Sequence, residues 1–184
     1  MGIKLTYTPS QPTGKKKDIK IIIQRPVYSG IRQVEGNSVV VGKLKMSSGG
    51  FVLLTDDSIE DWVAGSLGQE LLAVGYSVGY VTTLPDTVDN AVVININNLE
   101  GTFDYIDKFF SVVHFCRGQF DADVSIIKHG KVIKKFNIKN EKNIPERPGV
   151  VFFWYCGNES LPLVLQDSLQ KLVPTLVSVF DEDQ

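Results

Sequence analysis

Hydrophobic and polar residues change rhythm several times along this chain, and each rhythm predicts an element. From Ala91 to Asn97, Val92, Ile94 and Ile96 alternate with Val93, Asn95 and Asn97, a period of two that gives a strand one buried and one wet face. Phe103 to Phe115 is rich in aromatic and β-branched residues and predicts more strand. Phe120, Ala122, Val124 and Ile126 then face Val132, Phe136 and Ile138 across the two-residue turn His129-Gly130, whose glycine tolerates positive φ. Asn90 to Lys139 therefore reads as a strand meander with a tight hairpin. Four shorter pieces join it: Asp18 to Arg25, stopped by Pro26, which lacks the ladder donor; Val39 to Val41; Phe51 to Leu54; and Tyr76 to Val81. Val150 to Tyr155 predicts a last apolar strand, after the loop Ile144 to Gly149.

Two stretches switch to a spacing of three and four. Ile59, Trp62, Val63, Leu67, Leu71 and Val74 predict a helix from about Ser58 to Val74, with Ser58 and Asp61 as a capping box and Gly75 as a left-handed exit. Gly65 and Gly68 weaken that helix, so they are expected where it packs closely on the sheet. A second helix is capped by Ser160, carries Pro162 in its first turn and lines up Leu165, Leu169, Leu172, Val173, Leu176, Val177 and Phe180. Pro174 should kink its end. The expected fold class is α+β: an antiparallel sheet with both amphipathic helices packed on one face. Residues 1–17, with Pro9, Pro12, Gly14 and the run Lys15 to Lys17, read as an extended leader or tether, 18–180 as one domain and 181–184 as a solvated acidic tail.

Composition adds bounds. A net charge of −2 with 43% hydrophobic and 22% charged residues fits one water-soluble domain and speaks against nucleic acid as a partner, which calls for a basic excess. There is no run of about 18 apolar residues to cross a bilayer, and no secretory pattern follows Met1-Gly2. The two cysteines, Cys116 and Cys156, can be bridged only if their strands are neighbours, and two buried thiols are the plainer expectation.

Candidate chemistry is thin. Asp121 and Asp123 alternate with the inward Phe120, Ala122 and Val124 and so fall on the outer face, without the third acidic ligand that a hard cation needs. His114 and His129 show no metal-ligand spacing. His114 and Cys116 share a strand face without a third group to orient them as base and nucleophile. Ser47-Ser48-Gly49-Gly50 lacks the lysine ending of a phosphate loop, and there is no Gly-X-Ser-X-Gly elbow. No catalytic residue, metal or cofactor is expected. The aromatic residues carry more weight. Contiguous apolar positions in a strand cannot all face one core, so half of Phe152, Phe153, Trp154 and Tyr155 must be covered. Cover by the chain's own second helix is the plainer expectation, and the alternative makes these residues, with Phe109 and Phe110, the candidate interaction surface.

The order of leader, strand, first helix ending Leu-Leu-Ala-Val-Gly-Tyr (71 to 76), meander with hairpin and capped terminal helix resembles the YajG-type family of bacterial outer-membrane lipoproteins. The resemblance covers roughly Ile19 to Phe180, and Asn158 to Asp167 is similar to the start of that family's terminal helix. It departs at the aromatic segment around Trp154 and in having no lipid-bearing cysteine before Ile3. The resemblance implies a non-enzymatic domain on the periplasmic face of the outer membrane that holds or docks an envelope protein or lipid component. Membrane attachment would come only through a lipid anchor absent from this chain, with the leader as spacer and its lysines near anionic headgroups. Open sheet edges would allow a homo-oligomer. The competing readings are a subunit of a surface or secretion assembly and a small cytoplasmic enzyme with a site assembled from distant residues.

Overall fold

Nine strands and two helices form in the computed structural model, which describes residues 2–29, 34–46, 49–108, 111–145 and 152–182. Two antiparallel 18-residue strands, β7 (Ala91–Lys108) and β8 (Ser111–Lys128), make the spine. On the free side of β8 lies β9 (Lys131–Pro145), also antiparallel. The turn between them is the expected one: His129 and Gly130 have φ of 51° and 69°, the pair of positive values that a two-residue hairpin matched to strand twist requires.

The other side of β7 is shared by three strands in succession. β1 (Lys20–Gln24) pairs with Ala91 and Val92, β2 (Val27–Tyr28) with Asn95 and Ile96, and β4 (Ser38–Met46) with residues 101–103, all parallel. β6 (Ser77–Val81) lies parallel to β1 and ends the sheet, while β3 (Val34–Glu35) and β5 (Gly49–Thr55) pair antiparallel with β4. The sheet is therefore mixed, which corrects the purely antiparallel expectation. Side-chain alternation is the same in both kinds of ladder. Direction is set by the connections, and parallel neighbours need a crossover between them. α1 (Ile59–Ala73) lies in the connection that returns the chain to β6 beside β1.

α1 begins as expected. The Ser58 hydroxyl accepts from the Asp61 backbone N–H at 3.1 Å, and Gly75 leaves the helix with φ of +99°. Ser58→Ala should lower stability by about 1 kcal/mol, read as a shift of the urea midpoint. Gly68 packs where expected, since a Cβ there would stand 1.8 Å from the Tyr80 hydroxyl, but Gly65 has open space around it.

α2 (Phe152–Asp181) differs more from expectation. The segment expected as a strand at Val150 to Tyr155 is helical from Phe152. Ser160, expected as the cap, is buried inside the helix, and both Pro162 and Pro174 lie within it. A short apolar run has no period by which to tell strand from helix.

Both helices cover one side of the sheet. Tyr80, which meets α1 at Gly68, pairs with Ile23, Ile23 with Val92 and Val92 with Ile126. Ile126 shares its face, by alternation along β8, with Gly118, where a Cβ would touch Ser160 of α2. Between these layers lie Ile21, Ile23, Val92, Ile94, Ile96, Phe120, Leu67, Leu71, Leu165 and Leu169, all buried. A register shift between Ile96 and Asn98 then turns Leu99 inward.

Residues 2–17, expected as a leader, hold no helix and are docked on the body. Gly2 bridges Leu54, and the Ile3 N–H donates to the Leu54 carbonyl at 2.8 Å. Leu5 N–H donates to Asp57, Trp62 Nε1 to the Thr6 carbonyl, and the Tyr7 hydroxyl and Ser10 N–H to Glu70. Thr13 and Gly14 donate to the Ala73 carbonyl, and Lys17 pairs with Asp181 of α2. With Lys4 at Asn158 and Ser10 at Gln170, the segment follows the seam between α1 and α2, from Trp62 and Asp57 near the start of α1 and Asn158 in the second turn of α2 to Ala73 and Asp181 at their ends. It is a strap, with Ile3 and Leu5 buried.

Candidate functional site

The strap end of the seam is closed by groups that titrate. Burial pushes the Asp181 carboxyl up, but hydrogen bonds from Lys17 and Tyr76 and the charges of Lys17 and Lys128 outweigh it and hold the pKa below the usual range. A depressed carboxyl contributes stability above its unfolded pKa and loses it as pH falls through the folded one. The Lys17 anchor should therefore loosen below about pH 4, seen as faster hydrogen exchange at residues 13–18. Glu70, only 3% exposed, accepts from Tyr7 at 2.8 Å and Ser10 at 2.9 Å. Burial, and then the bond to Glu70, push the Tyr7 hydroxyl far above the ordinary tyrosine range. Glu70→Ala leaves both donors without that acceptor and is expected to cost about 2 kcal/mol. The signature would be a lower denaturation midpoint with exchange rising first at residues 5–13.

Beside α1 the sheet ends at β6, which pairs only with β1 among the described residues. Its outer edge therefore presents unpaired backbone donors and acceptors. A shallow open groove of about 440 Å³ lies at the end of β6 beside α1, lined by Ala64, Gly65, Tyr80, Val81 and Thr82, with Arg25 and Asp61 at the rim. Gly65 leaves the groove open because it has no side chain to fill it. Tyr80 is 55% exposed, and burial of the remainder raises its hydroxyl pKa. Arg25 Nε donates to Asp61 at 2.7 Å and Arg25 Nη2 to Ser58 Oγ at 3.2 Å. The Arg25 hydrogen bond leads in holding the Asp61 carboxyl below its usual range, against a smaller effect of burial. The rim charges are thus matched, and the groove offers an apolar floor next to an open strand edge. That geometry suits an extended segment added to the sheet.

The residues singled out from sequence fall elsewhere. Asp121 and Asp123 are on the outer face, as the alternation requires. Asn97 Nδ2 donates to them at 3.1 and 2.9 Å and Asn137 Nδ2 at 2.8 and 3.0 Å. Those amides, Asn97 first, hold the Asp123 carboxyl below its usual range. Among the described residues no group of three or more His, Cys, Asp or Glu could hold a metal ion. His129 Nδ1 lies 3.0 Å from Asp89, and His114 stands opposite Tyr105 in the β7–β8 ladder. Cys116 is fully buried and disulfide-bonded, which corrects the expectation of two buried thiols; the sequence holds one other cysteine, Cys156. Of the candidate interaction surface, Phe109 and Phe110 lie outside the described residues, and Phe152, Phe153, Trp154 and Tyr155 form the first turn of α2.

Sequence reasoning missed the strap and its partners Glu70, Asp57 and Asp181. The signal was present in Ile3, Leu5 and Tyr7, a period of two with its first two members buried.

No protein-family model matches the sequence, and no curated protein matches it. Solved structures share its fold. A DUF330-family protein from Xanthomonas campestris has a TM-score of 0.57 over 100% of this chain and 98% of its own, at 10% identity. A putative neuraminyllactose-binding hemagglutinin homolog from Helicobacter pylori has a TM-score of 0.51 over 96% and 93%, also at 10% identity. A minor lipoprotein from Acinetobacter baumannii scores 0.45 over 86% and 92%, again at 10% identity. At such identities the first two likenesses define the class by fold: an α+β domain of nearly the same extent as these proteins, with a mixed sheet under two helices.

Proposed function

We propose that this chain is a non-enzymatic binding or scaffolding domain of the bacterial envelope, held at the periplasmic face of the outer membrane as the body of a lipoprotein of the YajG kind. The observation that carries the reading is the disulfide at Cys116, because such bonds persist in oxidising compartments such as the periplasm and are rare in the cytosol. The fold shared with a putative hemagglutinin homolog supports binding as the task. The groove beside β6 supports an extended segment of an envelope protein as what is bound. No helix among the described residues is long and apolar enough to cross a membrane, which agrees with attachment through an acyl chain.

The test is expression from the natural gene with its own upstream sequence, followed by fatty-acid labelling, membrane separation and thiol alkylation. Label on the protein, recovery with the outer membrane and no alkylation before reduction are expected. An unlabelled protein with alkylatable thiols in the cytosolic fraction would overturn the reading.

A further inference from the structure

We infer that two copies of this chain join edge to edge through β6: the extended segment that the groove accepts is β6 of a second copy. This names the partner at the groove already described, and it rests on the reading of that groove as a place for an added strand.

Sheet edges invite pairing unless they are short, charged or covered, and the edges of this sheet differ in that respect. β9 carries six charged residues in fifteen, five of them lysine. β3 is two residues long. β5 is covered by the strap, where Gly2 bridges Leu54 and Ile3 donates to its carbonyl. β6 has none of these protections. From Leu71 to Pro85 the chain holds no Asp, Glu, Lys or Arg, and no strand lies beyond β6 among the described residues. A two-fold axis brings a surface against itself, so any charge close to it meets its own like. An edge that is neutral throughout, with Arg25 and Asp61 already paired at its rim, raises no such barrier to a second copy.

The strand is also complementary to itself. Ser77 N–H donates to the Ile19 carbonyl and Arg25 N–H donates to the Val81 carbonyl. Ser77, Gly79 and Val81 therefore turn their main chains to β1, while Val78 and Tyr80 turn theirs to the open edge. Antiparallel pairing about Gly79 sets Val78 opposite Tyr80 of the second copy, and Tyr80 opposite its Val78. Each pair exchanges two hydrogen bonds, which occupies the outward N–H and C=O of both residues. α1 fits the same axis. Asp61, Gly65, Gly68 and Leu72 follow one another at i, i+4, i+7 and i+11 and so form one stripe, which overlooks the edge because Gly68 meets Tyr80. The stripe has a knob at Leu72, 56% exposed, and a hole at Gly65, where a Cβ would touch nothing. Gly68 lies about midway between them, so an axis passing beside it sets Leu72 of each copy toward Gly65 of the other. The strand pair alone is narrow, and the two α1 flanks widen the contact toward the roughly 800 Å² per partner of a stable dimer.

Sedimentation velocity on the unmodified chain should show a dimer that dissociates on dilution. Val78→Pro removes an outward N–H and keeps the ladder to β1; Leu72→Asp sets a charge at the exposed knob and leaves the core untouched, so it decides the matter if the proline variant does not fold. Each change counts twice across the axis and should raise the dimer Kd about 10-fold or more, whereas Val132→Asp on the β9 edge should leave it unchanged. Cysteines read the register. Gly79→Cys should give a disulfide-linked dimer under mild oxidation, because the two residues would face each other with Cα atoms about 4.5 Å apart. Val81→Cys should not, since its two copies would lie about 13 Å apart along the strands. A monomer at every concentration, a dimer that Leu72→Asp leaves intact, or cross-linking at 81 as ready as at 79 would each overturn the inference. None of these measurements involves an acyl chain or a compartment, so a monomer would refute self-pairing and leave fatty-acid labelling to decide the envelope reading.

Discussion

Changing Cys116 to alanine is expected to lower the stability of the domain by about 4 kcal/mol. With Cys156 as the only other cysteine, the bond closes a loop of about 40 residues, and removing such a cross-link releases that much chain entropy in the unfolded state. The bond ties β8, the middle strand of the long hairpins, to the first turns of α2. Its loss should therefore free the helix start before the rest. Urea unfolding with and without reductant measures the effect. The native protein in reductant should fall close to the alanine variant, and coincident curves in the two conditions would show that the bond contributes nothing.

Gly118→Ala is expected to cost about 3 kcal/mol, although it adds a single methyl group. A Cβ at 118 would stand 2.3 Å from the Ser160 carbonyl oxygen and 2.8 Å from its carbon. Those are backbone atoms of α2, so the whole helix must lift from the sheet. Gly68→Ala provides the control. Its Cβ would meet the hydroxyl of Tyr80, the far end of a half-exposed side chain that can swing away, and alanine gains about 1 kcal/mol in helix propensity. The two variants should therefore separate widely in melting temperature. Equal shifts would mean that α2 does not rest on Gly118.

What was legible in the sequence was what is local. Ser58 and Gly75 bracket α1 because caps and exits act within a turn of their own position. His129-Gly130 sets only the first pairs of the hairpin, Lys128 with Lys131 and Ile127 with Val132. A register shift between Ile126 and Ile127 then offsets the rest, so that Phe136 and Ile138 face Val124 and Ala122 as expected but Val132 does not join them. The inward Phe120, Ala122 and Val124 follow from alternation alone. The parallel pairings of β1, β2 and β4 with β7 were not legible, since alternation carries no direction. Four consecutive aromatic residues at Phe152 to Tyr155 have no period, so strand and helix could not be told apart there. That misreading also hid the disulfide, because Cys156 was placed just past a strand and not on a helix. The strap was obscured by Pro9, Pro12 and Gly14, which read as punctuation. Gly14 in fact allows a close crossing, as its Cβ would stand 2.2 Å from the Val74 carbonyl oxygen. Of the groove, Gly65 and Asp61 stood out in sequence, though as helix features; the remaining residues converge from α1 and from the ends of β1 and β6.

The strap also decides how the domain bears force. A pull on Gly2 directed along the seam does not peel the segment off one bond at a time. The attachments at Leu54, Asp57, Glu70, Ala73 and Asp181 lie in line with the load and share it in shear. A tug at right angles to the seam would unzip them in sequence from Ile3. Residues 2–17 are thus a strong mooring in one direction and a tear strip in the other.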